Sequence, residues 1–259
     1  MTKRDALNRL LQRRELALVA NEELGERAFD YDLRRLLERL GVTCVLDVGA
    51  NCGQFRERIA ARCGWAGPVV SFEPIARYAA VLRGAGAGRS DWRVVESALG
   101  AVAEDKAITL FDSPGLASLR TPRLNAMREL LPKHVVQVIG RETIRVQRLD
   151  DVFAEATRGL DTSRVFLKID TQGYELEVLA GAGAVLERVV AVQAELSLLP
   201  IYDGMPAFTE VLERAKALGF EPSGIYPVTR DPRERLIEVD CLFVASRDVA
   251  GARQQASAA

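Results

Sequence analysis

Four acidic side chains stand at or beside the ends of apolar runs. Asp47 lies in the run Val45, Leu46, Val48, and Glu73 follows Val69 to Phe72; Asp170 follows Val165 to Ile169, and Glu195 follows Val189 to Ala194. A carboxylate at the end of a buried strand must find a partner or a ligand, because an unpaired buried charge is costly. The first of these runs enters a turn of Gly49, Ala50, Asn51, Cys52 and Gly53, after which Phe55, Ile59 and Ala60 open a helical pattern. Small residues in such a turn let a ligand approach the backbone, and the helix behind it offers free N–H groups. Asp47 either braces this turn or meets the ligand.

The dinucleotide fingerprint G-x-G-x-x-G and the phosphate-binding G-x-x-x-x-G-K-[ST] are both absent from the turn. Glu73 stands about twenty residues beyond it, where an acid accepts hydrogen bonds from two ribose hydroxyls. A ribose-bearing ligand without a pyrophosphate fits this pattern best, and S-adenosylmethionine is such a ligand.

These residues need a scaffold, and the chain alternates in a way that supplies one. Residues 3–40 read as helices, with Leu7, Leu10, Leu11 and then Leu33, Leu36, Leu37, Leu40 at helical spacing and Gly41 as the stop. From Val42 strands and helices alternate: the first strand, a helix to about Arg62, and a strand over Val69 to Phe72. A helix from Pro74 and a third strand from Trp92 to Ala98 follow. Short strand patterns occur at Ile108 to Phe111 and Thr143 to Val146. Between them, 112–140 is rich in Pro, Ser, Arg and Asn and reads as a functional loop. A short helix begins at Leu149, and the strand ending at Asp170 leads through Thr171, Gln172 and Gly173 into a helix over Tyr174 to Leu186. After the strand ending at Glu195 come an amphipathic helix over Pro206 to Leu218 and two strands, Gly224 to Val228 and Leu236 to Ala245. The last two suit an antiparallel pair. The whole reads as α/β: a mainly parallel sheet with helices on both faces. It divides into a helical leader over 1–41, packed on or capping the core or making a homodimer contact, a core over 42–247 and a disordered tail over 248–259. In such sheets ligands bind beyond the carboxyl ends of the strands, where Glu73, Asp170 and Glu195 gather.

Composition narrows the classes. With 48% apolar and 27% charged residues the chain is that of an ordinary soluble globular protein. A formal net charge of −1 gives no basic footprint for nucleic acid. The charged N-terminal pattern does not read as a signal peptide, and Glu187 and Arg188 interrupt the longest apolar stretch, so no membrane span is expected. Cys44, Cys52, Cys63 and Cys241 have no CxxC spacing and read as free thiols in a reducing, cytoplasmic setting.

Several blocks together carry a resemblance: Asp47 to Gly53, Phe72 to Pro74, Ser97 to Gly100, Arg148 to Asp151, Leu167 to Glu175 (Leu-Lys-Ile-Asp-Thr-Gln-Gly-Tyr-Glu) and Gln193 to Ser197. Over roughly 43–246 the chain resembles the FkbM family of S-adenosylmethionine-dependent methyltransferases. The resemblance implies a Rossmann-like seven-stranded methyltransferase sheet and O-methylation, commonly of sugars in glycans, lipopolysaccharide or natural products. It implies that Gly49, Ala50, Asn51 and Gly53, with Asp47, line the methionine side of the cofactor. Glu73 with Pro74 takes the ribose, Ser97 and Ala98 lie near the adenine, and Asp170 faces the methyl-transfer space.

Transfer to a hydroxyl needs the acceptor oxygen aligned with the S–CH₃ bond, and a base to take its proton adds further acceleration. Asp170 and Glu195 are the preferred bases, with Lys168 and His134, the only histidine, as further catalytic candidates. Lys168, unusual within a buried strand, should pair with an acid. Ser118, Gln172 and Glu175 are candidate acceptor contacts. A divalent cation held by Asp170 and Glu195, with Glu175 as a third ligand, is an alternative use of the acids; the metal-free arrangement is preferred. A nucleic-acid or protein methyltransferase on the same cofactor fold, and a non-catalytic S-adenosylmethionine-binding protein, share part of the pattern. The net charge and the lack of an Asn-Pro-Pro-aromatic motif argue against base methylation.

Overall fold

The computed structural model describes residue 20 and residues 23–132 and 136–247. His134, Leu7, Leu10, Leu11 and the tail from 248 lie outside the described residues. The described part of the leader is helix α1 (Leu24–Arg39), closed by Gly41 in the left-handed region. It buries Phe29, Leu33 and Leu37. Helix α2 (Gln54–Cys63) lies beside it, and buried Asp30 ties the two by accepting from Arg58 at 2.6 Å and Arg62 at 3.1 Å.

The core is a seven-stranded sheet. Strands β1 (Cys44–Val48), β2 (Val69–Phe72) and β3 (Trp92–Val95) run parallel on one side, with β7 (Val165–Ile169) and β8 (Val189–Ser197) parallel on the other. Strand β10 (Leu236–Ala245) inserts antiparallel between β8 and the edge strand β9 (Phe220–Arg230). The order is therefore β3-β2-β1-β7-β8-β10-β9. β1 and β7 are buried at every position, which is why they read as nearly unbroken apolar runs rather than alternating ones. Strand order reverses between β1 and β7, so a crevice opens beyond their carboxyl ends. Helix α3 (Ala76–Ala85) follows β2, and α7 (Phe208–Ala217) precedes β9. Helix α1 also meets β9: the Phe29 ring packs edge-on to Tyr226, whose hydroxyl donates to Asp32 at 2.7 Å.

Three sequence expectations are corrected. The third strand stops at Val95, and Ala98–Leu99 is a separate strand, β4, in a second sheet. There β4 pairs with β6 (Val138–Gln147), which pairs antiparallel with β5 (Glu104–Phe111). The stretch 112–140 is not an irregular loop: it contains α4 (Leu124–Leu130) and the start of β6. Leu116, Met127, Leu130 and Leu131 bury against Phe111, Ile201, Tyr202 and Ile237, so the segment has a core of its own. Finally, the helix after Tyr174 is shorter than its pattern. Following α5 (Leu149–Ala156), helix α6 covers Glu175–Gly181 and gives way to a 3-10 turn over Gly183–Glu187. The break falls at Gly183, which has φ +47° and lies against Asp150: a Cβ there would stand 2.1 Å from its carboxylate oxygen.

Candidate active site

The turn after β1 is built on left-handed residues: Gly49 (φ +76°), Asn51 (φ +49°) and Gly53 (φ +89°). At Gly49 a side chain is excluded outright, since a Cβ would lie 1.9 Å from the carbonyl oxygen of Asp170. Backbone from β1 and β7 therefore touches at the mouth of the crevice. Glu73 clamps the turn from the next strand: one carboxylate oxygen accepts from Asn51 N at 2.8 Å and the other from Ile75 N at 2.9 Å. Glu73 is buried, and burial pushes its carboxyl up to about 7 against the opposing pull of those two amides. The cavity beside it is lined by Gly49 and Asn51, by Glu73, Pro74 and Ile75, and by Ser97, Ala98 and Leu99. Tyr78 and Ile108 add apolar wall, Gly115, Ala117, Ser118 and Leu119 contribute from the 112–140 segment, and Asp170, Thr171 and Gln172 complete it from the turn after β7.

Beneath the turn lies an ion pair that fixes the floor. Asp47 is fully buried, and Lys168 Nζ stands 3.1 Å from its Oδ1, 3.0 Å from Gly49 O and 3.5 Å from Asp170 Oδ2. Burial alone would lower the Lys168 ammonium, but Asp47 and then Asp170 outweigh it and raise its pKa overall. Asp47 is raised by burial and opposed by Lys168. Asp47 thus does not reach the cavity, and Ala50 and Gly53 do not line it either. Gly53 instead packs on Leu82 and Trp92. Asp47 pairs with Lys168, Ala50 is buried in the cluster that holds Phe55 and Ile59, and Gly53 is the N-cap of α2.

The β7 end carries Asp170 to the cavity with its side chain 36% exposed. Gln172 donates to Glu195 Oε1 at 2.8 Å and lies 3.3 Å from Asp170 Oδ1, so one amide bridges two carboxylates. Glu195 sits behind this bridge rather than on the cavity wall. Burial first, then the neighbouring charge of Asp170 and those of Glu238 and Asp240, hold the Glu195 carboxyl well above the usual range. Glu175 does not face the cavity: its Oε1 accepts from Thr171 N, Thr171 Oγ1 and Gly173 N, bracing the turn. Ser118 lines the cavity while its hydroxyl donates to Gln172 O at 2.7 Å, so its proton is committed. Sequence reasoning overlooked Tyr202, fully buried, whose hydroxyl donates to Leu116 O at 2.7 Å and lies 3.4 Å from Gln172 Oε1. It also overlooked the apolar wall of Ile75, Tyr78, Leu99 and Ile108. The apolar pattern of Ile108 to Phe111 was visible as a strand, but nothing in it pointed to the crevice.

Asn51 Oδ1 is buried with no partner, and each Glu73 oxygen accepts one bond from the protein. An acceptor amide at the glycine turn, a buried carboxylate and an apolar slot fit the amino, ribose and adenine groups of S-adenosylmethionine. Among the described residues no group of three or more His, Cys, Asp and Glu side chains is placed to hold a metal ion, and no helix is long and apolar enough to cross a membrane.

Residues 47–222 match the family described as the methyltransferase FkbM domain. No curated protein matches the chain. Solved structures that resemble it include magnesium protoporphyrin IX methyltransferase from Synechocystis with bound S-adenosylmethionine. That match has 10% identity and a TM-score of 0.43, and covers 95% of this chain and 98% of that one. Aeropyrum pernix fibrillarin with natively bound S-adenosyl-L-methionine is 10% identical with a TM-score of 0.44, over 78% of this chain and 66% of that one. Precorrin-6y C5,15-methyltransferase from Geobacter metallireducens is 13% identical with a TM-score of 0.40, over 82% and 87% of the two chains.

Proposed function

The chain belongs to the methyltransferase FkbM domain family, and from that premise we propose that it methylates a hydroxyl of a sugar-bearing acceptor using S-adenosylmethionine. The observation that carries this reading is the cavity in which Glu73 and Asp170 face the β1 turn from opposite sides. The cofactor supplies an electrophilic methyl group on sulfur. Gly49 and Asn51 hold its amino-acid end, Glu73 accepts from its ribose hydroxyls, and Pro74, Ser97 and Ala98 border the adenine with Ile75 and Leu99. Asp170 takes the proton of the acceptor hydroxyl, with the Lys168 ammonium 3.5 Å from its Oδ2. Glu195 supports Asp170 from behind. The 115–119 stretch covers the cavity and limits water, and the packed segment around it shapes the acceptor's entry.

The test is transfer of labelled methyl from S-adenosylmethionine to a panel of monosaccharides, oligosaccharides and small alcohols, run beside RNA and denatured protein. Label in a sugar is the expected outcome; label only in RNA or protein would overturn the reading.

Cofactor binding itself carries a pH signature. Glu73 is raised to about 7 because burial disfavours its charged form. Ribose hydroxyls donate to the charged form and so favour it, which means that binding releases a proton wherever Glu73 starts protonated. Affinity for S-adenosylhomocysteine should therefore rise about tenfold per pH unit below 7 and level off above it. Glu73→Ala should abolish that slope and weaken binding at pH 8 by about 1.5–3 kcal/mol, the range for a hydrogen bond to a charged group. Calorimetry between pH 5.5 and 8.5 reads both. A flat profile in the native protein removes Glu73 from the ribose role.

A further inference from the structure

Gln172 occupies a costly backbone conformation for what its sequence position suggests. Its φ is +53°, in the left-handed region that L side chains rarely enter, and Gly173 follows at +94°. Buried neighbours hold it there. Ser118, 1% exposed, donates to its carbonyl at 2.7 Å while accepting from Arg120 N at 3.0 Å, and Arg120 Nε donates to Gly173 O at 3.0 Å.

The consequence is where the side-chain amide ends up. A glutamine amide has two N–H donors. One meets Glu195 Oε1 at 2.8 Å and the other faces Asp170 Oδ1 at 3.3 Å. Its oxygen lies 3.4 Å from the Tyr202 hydroxyl. With both donors committed to carboxylates, Gln172 has only its amide oxygen to offer an acceptor molecule.

We propose that Gln172 is the positioning residue of the carboxylate pair: its amide turns Asp170 toward the cavity, holds Glu195 behind it, and donates to both carboxyl groups in a way that favours their proton-accepting form. The use of that pair as a base rests on the methyl-transfer reading above; the clamp itself does not. The groups that face the pair are Lys168 from β7, Asp47 from β1, Glu175 from α6, Glu238 and Asp240 from β10, and Tyr202 after β8, with Arg58 of α2 acting on Asp240. Lys168 is the one cation in contact with Asp170 among the described residues, and it is shared with Asp47. Against four surrounding carboxylates, a neutral donor between Asp170 and Glu195 is the remaining device that favours their charge. Losing a hydrogen bond to a charged group corresponds to roughly one to two pH units.

The experiment is a pH titration of the side-chain carboxyl carbons of Asp170 and Glu195 by nuclear magnetic resonance in the full chain. Gln172→Gly suits the left-handed backbone and so removes the amide without adding strain. Ser118→Ala removes the hydrogen bond to the turn but leaves the amide. The expected result is an upward shift of about one unit or more in Asp170 or Glu195 in Q172G, with S118A titrating like the native protein. No shift in Q172G, or an equal shift in S118A, would reduce Gln172 to a turn residue and overturn the proposal. Calorimetry with S-adenosylhomocysteine on the same native sample separates the two ideas. Absent binding would defeat the cofactor reading and leave the titration comparison standing.

Discussion

Asp170→Asn is expected to lower methyl transfer by about a hundredfold or more, the usual worth of a general base, while affinity for S-adenosylhomocysteine stays within about threefold. The substitution preserves shape and removes only the ability to take a proton. Asp170 is the one of the two paired carboxylates that lines the cavity; Glu195 is screened from it by the Gln172 amide. Lys168 Nζ, 3.5 Å from Asp170 Oδ2, loses a charge partner in the variant but keeps Asp47 and the Gly49 carbonyl, so the turn that holds the cofactor should survive. Single-turnover rates with an acceptor from the sugar panel, beside calorimetry on the same variant, give the two quantities separately. Undiminished turnover in Asp170→Asn would sink the base assignment; lost cofactor affinity would make Asp170 a cofactor contact instead.

Lys168→Met should cost about 3–5 kcal/mol of folding stability, the range for breaking a buried pair by removing one partner. Lys168 is 4% exposed and Asp47 fully buried, so no water can take over from the missing ammonium. The three acceptors around Nζ belong to β1, to the turn after it and to the end of β7, and all lose their donor at once. The pH dependence has a definite sign. Without Lys168 the Asp47 carboxyl, already raised by burial, rises further. A raised acid costs stability that is absent below its unfolded value near 3.8 and grows as pH climbs from there toward the folded value. The deficit of Lys168→Met should therefore be smaller at pH 5 than at pH 8, and Asp47→Asn in the same background should recover part of it. Urea unfolding at both pH values measures this; a loss under about 1 kcal/mol at pH 8 would mean that the pair contributes little.

The sequence carried the local features because each has a local cause. The strand, glycine turn and helix over 44–63 follow from an apolar run, residues that tolerate left-handed backbone and a 3.6-residue period. Acids at the ends of apolar runs could be seen without any partner, since burial of a lone carboxylate is itself a signal. The antiparallel final pair was legible for similar reasons, although its insertion of β10 beside β8 was not.

What only the tertiary structure decided is which residues meet. A period of two or 3.6 residues reports that a face is buried, not what lies across from it. Asp47 and Lys168 are direct neighbours because β1 and β7 pair in that register, though 121 residues separate them. That pairing placed Asp47 beneath the turn, against Lys168 and off the cavity wall. Glu195 reached the site only through Gln172, whose left-handed backbone no propensity rule assigns to glutamine. Ala98 and Leu99 left the main sheet because Val146 and Gln147 offered a ladder in a second one. And 112–140, polar enough to read as a loop, packs as a unit because Ile201, Tyr202 and Ile237, distant in the chain, cover its few apolar side chains. Hydrophobic burial is non-directional, so a sequence specifies how much must be covered, and register and chain order choose the cover.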